Sequence, residues 1–247
     1  MNPEALVALV GSSAVMFIAG GIVKGALGVG LPLVVVPLLS LILPTSKAIG
    51  LLVMPVILSN FLQAFSNGRF SYTLRRFTPL LIAQLIATLL ANHWGAQLSP
   101  SAMNIVMALS VVVAVAMMAL QPKGDLSPRQ EKWGGPIVGF IAGSIGGASS
   151  LTGPVLITYL MALKLTRDEF VGSISIIYLL GSVPMYMAMF AWGRFEFDVV
   201  LLSCLALGPV YIGLRLGGVF RSRMSETGFR KSLFVFLTLL SIVLLLK

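Results

Sequence analysis

The first long apolar run of the chain is interrupted by Gly20-Gly21-Ile22-Val23-Lys24-Gly25-Ala26-Leu27-Gly28-Val29-Gly30-Leu31-Pro32. A second interruption reads Gly143-Ser144-Ile145-Gly146-Gly147-Ala148-Ser149-Ser150-Leu151-Thr152-Gly153-Pro154. Repeated glycine lowers helix stability, and lipid cannot satisfy the backbone N–H and C=O groups that a break sets free. Both stretches therefore predict broken helices whose backbone faces protein or a water-filled cavity.

The composition of the chain is that of a membrane protein. Of its 247 residues, 57% are hydrophobic and only 10% are charged, and the mean hydropathy is +1.00. A soluble domain is about 45–50% apolar and about 25% charged, so a soluble globule is excluded. The single Cys204 excludes an intrachain disulfide framework. The basic residues lie in short loops without interleaved aromatics, so the net charge of +9 indicates membrane topology rather than nucleic-acid binding.

The hydropathy pattern divides the chain into ten apolar segments. A helix needs about 20 apolar residues to cross a hydrocarbon core of about 30 Å. The segments are 5–24, 31–43, 48–66, 77–92 and 102–120, followed by 135–147, 150–163, 169–191, 199–220 and 232–246. Segments 31–43 and 150–163 are short and adjoin the glycine-rich stretches, which predicts short or re-entrant helices. We therefore expect an all-α, polytopic membrane protein.

The two sets of five segments predict an internal repeat. Glycine landmarks recur at a near-constant offset, since Gly50 and Gly172 are 122 residues apart and Gly95 and Gly218 are 123 apart. The alternative is that glycine is simply common in membrane helices. Because each set has an odd number of segments, the second half would enter the membrane from the opposite face. We expect two inverted repeats, 1–122 and 134–247, joined by a cytoplasmic loop at 123–133.

The distribution of basic residues predicts the topology independently. The loops at 67–76, 121–133, 164–168 and 221–231 hold twelve Lys and Arg residues, whereas the other loops and the termini hold three. Cytoplasmic loops of membrane proteins carry an excess of Lys and Arg. This bias places the four basic loops in the cytoplasm and both chain termini on the other side.

Lys24 is the candidate residue for charge recognition. It lies deep in an apolar run, whereas all eight acidic residues lie in loops or at loop edges. A charge buried in a membrane costs at least about 2.5–3.5 kcal/mol on insertion scales, so an unpaired lysine beside a glycine break indicates an anionic ligand. The alternative is that Lys24 snorkels to the lipid headgroups.

Further candidates surround the two breaks. A helix that restarts after a break presents unpaired N–H groups and a positive dipole end, which attract anions. Asn60 and Gln63 share one helix face and can hydrogen-bond an anion; the alternative is that they bond to neighbouring helices. For each single glycine, the alternative is tight helix packing. The candidate substrate-binding residues are Lys24, Gly25, Gly28, Gly30, Asn60, Gln63, Gly146, Gly147, Ser149, Ser150 and Thr152, and the candidate hinges are Pro32, Pro37, Gly153 and Pro154.

These motifs resemble those of the TauE/SafE family of sulfite exporter-like membrane anion transporters. The resemblance lies in Lys24-Gly25-x-x-Gly28-x-Gly30-x-Pro32, Pro37-Leu38-Leu39, Pro55, Ser59-Asn60-x-x-Gln63 and the second glycine-rich motif, Gly143 to Pro154. It covers nearly the whole chain. Two positions depart from the family pattern, since Leu31-Pro32 replaces further glycine and Ala142 stands where a counterpart of Lys24 would lie. The resemblance implies a bacterial inner-membrane protein that moves sulfite, sulfonates or related organic anions.

The predicted function is secondary transport of a small organic or sulfur-containing anion (sulfite, sulfonate or carboxylate) by alternating access. An anion channel or facilitator, or a structural partner subunit, is the alternative. An enzyme is not expected, because the sequence has one His, no carboxylate within an apolar segment and no Gly-x-Ser-x-Gly motif. No cofactor, metal or nucleic acid is predicted. The expected partners are the anion and membrane lipid, and a coupling proton or sodium ion and a homodimer stay open.

Overall fold

The fold is given by a computed structural model that describes residues 3–66, 69–120, 126–163 and 165–223, together with Val235 and Thr238. Within these residues every regular element is an α-helix, as the sequence predicts. The helices described are α1 (Pro3–Leu27), α2 (Leu31–Ser40), α3 (Thr45–Gly50), α4 (Val53–Ser66), α5 (Phe70–Gly95), α6 (Pro100–Leu120), α7 (Pro128–Ser149), α8 (Gly153–Met161), α9 (Arg167–Ala191), α10 (Phe197–Ser203) and α11 (Leu207–Arg223).

Several of these helices are long and apolar enough to cross a membrane. Among the described residues there are five such segments, and a sixth results if the bent pair α10 and α11 forms one span. The five are Val7–Leu27, Thr45–Phe65, Phe70–Gly95, Pro100–Met117 and Glu169–Ala191. The chain is therefore a multi-pass helical membrane protein. The last predicted segment, 232–246, lies outside the described residues except for Val235 and Thr238.

One difference from the predicted boundaries lies at the start of α7. This helix begins at Pro128, within the range 123–133 that the sequence predicts as a loop. Ser127 forms a capping box with Gln130, in which the Ser127 hydroxyl accepts the Gln130 N–H and the Gln130 side chain accepts the Ser127 N–H. Hydropathy does not detect this first turn because its residues are polar.

Both short helices fold back along the long helix that precedes them. In the first hairpin, Gly20 of α1 lies against Leu31 and Val35 of α2, so the two helices run antiparallel. In the second, made by α7 and α8, Gly146 lies against Thr152 beside the break. The order of long helix, break and short helix thus occurs in each half of the chain. The inverted orientation of the halves stays a prediction.

Glycines bring α7 close to α5. Gly143 lies against the backbone carbonyl of Gln84, and a Cβ added to Gly147 would lie 2.6 Å from the carbonyl oxygen of Thr88. Small residues that let helix backbones approach are a common basis of helix association in lipid, where apolar burial gives little driving force. Gly147 therefore lies in a helix interface.

The pair of α1 and α11 associates in the same way. A Cβ added to Gly21 would lie 2.6 Å from the carbonyl oxygen of Val210, and Gly25 lies against the backbone carbonyl of Leu214. Gly25, a candidate for substrate binding, is thus placed in a helix interface, which agrees with the packing alternative.

The described loops gather at two ends of the bundle. Residues 41–46, 95–104 and 193–194 contribute to a cleft of about 530 Å³ beside the C-terminal end of α5. Arg76, near the N-terminal end of α5, lines a second cleft of about 220 Å³ together with Lys132 and Tyr159. The assignment of these two ends to the two faces of the membrane stays a prediction.

Candidate functional site

The breaks of the two hairpins meet at one internal cavity of about 30 Å³. A cavity needs about 10–15 Å³ to hold one water molecule, so this one has room for about two. Its lining residues are Gly30, Pro32, Leu33, Val56, Asn60, Ser150, Leu151, Thr152, Gly153, Pro154, Tyr178, Ser182 and Met185. Two stretches that are far apart in sequence therefore lie side by side in the fold.

The first break turns on two glycines. Gly28 has φ +82° and Gly30 has φ +103°, in the left-handed region that L side chains rarely adopt. Pro32 then occupies the first turn of α2, where its missing N–H removes no helical hydrogen bond. The Gln63 amide nitrogen lies 3.3 Å from the position that a Cβ would take on Gly28. Gly28 and Gln63 are therefore neighbours at the first break.

Lys24 lies behind the first break and does not reach the lipid headgroups. Its Nζ donates a hydrogen bond of 2.6 Å to Oδ1 of Asn60, and the two residues are only 5% and 2% exposed. Among the residues that the structure describes, the only ion pair joins Arg76 and Glu131 at one end of the bundle. The ammonium of Lys24 is thus held by a neutral amide, and that amide also lines the cavity.

The second break turns on a serine. Ser150 has φ +65° and is the one non-glycine residue with a positive φ in the described ranges. Its N–H donates to the carbonyl oxygen of Gly146, and its hydroxyl lies 3.2 Å from that of Tyr186. The Ser149 hydroxyl instead donates to the carbonyl of Ile145 within α7. The Ser149 hydroxyl also accepts the N–H of Leu151 at 3.4 Å, so it supports the break without lining the cavity as Ser150 does.

The second short helix starts directly at the cavity. Thr152 is its N-cap residue, and Gly153 and Pro154 form its first two positions. All three line the cavity, and Pro154 again stands where its missing N–H costs no helical bond. The N-terminal ends of α2 and α8, with their unpaired N–H groups and positive dipole ends, therefore both lie at this cavity.

Two polar lining residues of α9 are not among the sequence candidates. Tyr178 and Ser182 are four residues apart, so they share one face of the helix, and both line the cavity. Their spacing within the predicted segment 169–191 is the only signal that points to them. A tyrosine and a serine in an apolar segment are also common in ordinary helix contacts.

Arg194 lies in the connection between α9 and α10, and the sequence alone gives it no role in the site. It is only 7% exposed. Its guanidinium donates to the carbonyl oxygens of Gly147 at 2.6 Å and Ala148 at 2.8 Å, near the C-terminal end of α7. It also donates to Asn92 Oδ1 at 3.2 Å. A cation at a helix C-terminus is favourable. The second break thus has a nearby cation, which comes from the connection between α9 and α10.

The structure sorts the sequence candidates into three groups, and their roles in binding stay predictions. Those that line the cavity are Gly30, Asn60, Ser150 and Thr152 of the binding set and Pro32, Gly153 and Pro154 of the hinge set. Those directly behind it are Lys24, Gly28 and Gln63. Those engaged elsewhere are Gly25 and Gly147 in helix interfaces, Gly146 against Thr152, Ser149 within α7, and Pro37 inside α2.

The cavity offers hydrogen-bond donors and one nearby cation. Its polar groups are hydroxyls, an amide and the N-terminal ends of two helices, with the Lys24 ammonium bound to the amide. Such a set is suited to a small oxyanion, because every group in it except the amide oxygen can donate. Asn60 Oδ1 is already occupied by Lys24.

The long apolar helices and the two broken hairpins define a polytopic helical membrane protein. Comparison with known families identifies it further. The profile of the family described as Sulfite exporter TauE/SafE matches residues 13–244, so the chain belongs to this family, as its motifs predict. Members are membrane transporters of sulfite or related anions rather than enzymes. No curated protein and no solved structure matches the chain.

Proposed function

We propose that the protein is a secondary transporter that carries a small organic or sulfur-containing anion across the bacterial inner membrane by alternating access. The observation that carries this proposal is the meeting of both helix breaks at one buried cavity, with Lys24 directly behind it. Sulfite, sulfonates and carboxylates are the substrate classes that the donor set accommodates.

The electrostatics of Lys24 support an anionic substrate. The ammonium is buried and bonded to a neutral amide, so its charge has no counterion within the described residues. In surroundings of low dielectric constant, an approaching anion is attracted more strongly than it would be in water. An anion in the cavity would therefore neutralise a charge that the protein itself leaves unpaired.

The sizes of the clefts support alternating access. The central cavity of about 30 Å³ lies between a cleft of about 530 Å³ at one end of the bundle and one of about 220 Å³ at the other. A narrow central site with a wider cleft at each end of the bundle is the arrangement that alternating access requires. In this proposal the halves are inverted repeats that rock against each other, with the hairpin breaks as hinges.

The sidedness follows from the basic residues. The end of the bundle that holds Arg76 and Lys132 belongs to the face with twelve basic loop residues, which we assign to the cytoplasm. Both termini then lie on the opposite side, and the wider cleft opens there.

Uptake into proteoliposomes tests the proposal. Purified protein is reconstituted, and labelled sulfite, sulfoacetate and acetate are supplied at graded concentrations. We expect saturable uptake of at least one of them, a loss of about a hundredfold or more in Lys24→Ala, and partial activity in Lys24→Arg, because loss of the only partner charge of a buried anion costs several kcal/mol.

Lys47→Ala is the matched control, since Lys47 is an exposed lysine in the short helix α3. Its uptake should equal that of the unmodified protein. Flux that rises linearly with concentration would indicate an anion channel or facilitator instead of a carrier. Absence of uptake of all three anions, or full uptake by Lys24→Ala, would contradict the proposal.

A further inference from the structure

The hydroxyl of Tyr178 is a buried donor that the protein leaves without a partner. Tyr178 is 9% exposed, and its Oη makes no hydrogen bond within the part of the chain that the structure describes. A buried polar group without a partner costs about 1–3 kcal/mol, so its presence calls for an explanation. The explanation lies in its position, because Tyr178 is a lining residue of the central cavity.

The Tyr178 hydroxyl is directed at the first turn of α8. A Cβ added to Gly153 would lie 2.8 Å from Tyr178 Oη, so glycine at this position lets the hydroxyl approach the backbone of α8 closely. Gly153 is the first residue of the nine-residue helix α8, and the first turn of a helix presents N–H groups without intrahelical partners. A phenolic donor and a helix N-terminus therefore converge on the same point.

Three other polar groups of the cavity are already engaged. Ser182 donates to the carbonyl of Leu179 at 3.3 Å, and Ser150 is paired with Tyr186 at 3.2 Å. Asn60 Oδ1 is taken by Lys24. Tyr178 thus differs from Ser150 and Ser182, because its buried hydroxyl makes no hydrogen bond within the described residues.

We propose that Tyr178 Oη and the first turn of α8 form an oxyanion subsite. It binds one oxygen atom of the transported anion, while Asn60 and the Lys24 ammonium on the α1 and α4 side of the same cavity attract another. The inference rests on the proposed function, since it places the substrate in this cavity. The ligand class is a small anion with at least two oxygen atoms on one head group, namely a sulfite, sulfonate or carboxylate. A halide has no second atom with which to reach both subsites.

The variant Tyr178→Phe separates a binding role from a structural one. Removing a buried hydroxyl that has no partner should leave the protein at least as stable to heat, whereas removing a structural hydrogen bond would lower its stability. Loss of a hydrogen bond to a charged ligand should raise the KM for labelled sulfite or sulfoacetate about 10- to 100-fold. The rise in melting temperature that the same anions give the unmodified protein should shrink accordingly.

Two further variants complete the experiment. Tyr211→Phe is the matched control, because Tyr211 is exposed on α11 and its hydroxyl accepts only from Arg215. Its KM should not change. Gly153→Ala places a methyl group beside the Tyr178 hydroxyl, so it should lower stability and raise KM. In the double variant with Tyr178→Phe the stability should return, whereas the KM should stay high.

The outcomes distinguish the two proposals. If the unmodified protein transports an anion but Tyr178→Phe has the same KM, the subsite is wrong while the proposed function stands, and the hydroxyl contacts water at most. A melting temperature several degrees lower in Tyr178→Phe, or a KM for chloride as low as the KM for sulfite, would also overturn the subsite. If the unmodified protein transports none of the anions, the proposed function fails and the subsite fails with it.

Discussion

The break between α1 and α2 turns on Gly28 and Gly30, whereas the break between α7 and α8 turns on Ser150. Both breaks reverse the chain, and both are followed by a short helix with proline in its first turn. The first break uses residues that adopt positive φ without strain, and the second uses a serine that pairs with Tyr186. A reversal from a long helix into a short one is therefore built from different residues and different φ angles in the two halves.

The cations near the two breaks differ even more. Lys24 belongs to the helix that precedes the first break, and its partner Asn60 lines the cavity. Arg194 comes from a distant connection, and its N–H groups bind the carbonyls of Gly147 and Ala148. The first cation is therefore available to attract a ligand, whereas the second fixes the end of a helix. The following predictions test this division of roles.

The largest expected effect is the loss of stability in Arg194→Met. The substitution leaves the terminal carbonyls of α7 without their charged donors in a buried position, which should lower the free energy of unfolding by about 3 kcal/mol or more. Unfolding in mixed micelles, followed by circular dichroism, measures it. Arg215→Met should stay within about 0.5 kcal/mol, because Arg215 is exposed on α11. Equal stability of the two variants would show that Arg194 does not fix the break.

A smaller effect is expected from Asn60→Asp, which should lower uptake without lowering stability. A carboxylate at this position would pair with Lys24 and cancel the charge that attracts the substrate, so uptake of labelled anion should fall at least about tenfold. Folding stability should not fall, because the buried ammonium gains a counterion. Uptake equal to that of the unmodified protein would separate Lys24 from substrate attraction.

The smallest effects are expected at the positive-φ positions themselves. Ser150→Gly removes about 1 kcal/mol of left-handed strain and loses one hydrogen bond of similar size, so stability should change by less than about 0.5 kcal/mol. Gly30→Ala forces a side chain into φ +103° and should cost about 1–3 kcal/mol. Thermal unfolding of both variants tests the comparison. If Ser150→Gly were destabilised while Gly30→Ala kept the stability of the unmodified protein, this prediction would be wrong.

The sequence predicts the class of fold well because hydropathy and glycine content can be read from short stretches of sequence without knowledge of long-range contacts. Segments 31–43 and 150–163 are recognised as short pieces for this reason, and Lys24 stands out because it is charged in an apolar run. The repeat boundaries and the inverted orientation stay predictions. The start of α7 is not found, since the polar residues after Ser127 resemble a loop until their capping box is seen.

The site is less predictable, because neighbours in sequence face different surroundings. Gly25 and Gly28 belong to the same motif, yet Gly25 lies against α11 while Gly28 lies beside Gln63 at the break. Tyr178 is indistinguishable in sequence from an ordinary packing residue, and its role depends on where α8 begins. Arg194 lies in a short polar connection, and only the tertiary fold brings it to α7. Motif and composition identify the region of the site, but long-range contacts decide which residues enter it.

The isolated charge of Lys24 has a consequence for the kinetics of a transport cycle. If the protein changes its facing without cargo, the Asn60 amide is the one hydrogen-bond partner of the ammonium among the described residues, whereas a bound anion would cancel its charge. Reorienting a lone cation in low-dielectric surroundings is costly, so the unloaded return step should limit net flux. We therefore expect countertransport, in which one anion leaves as another enters, to run faster than unidirectional uptake.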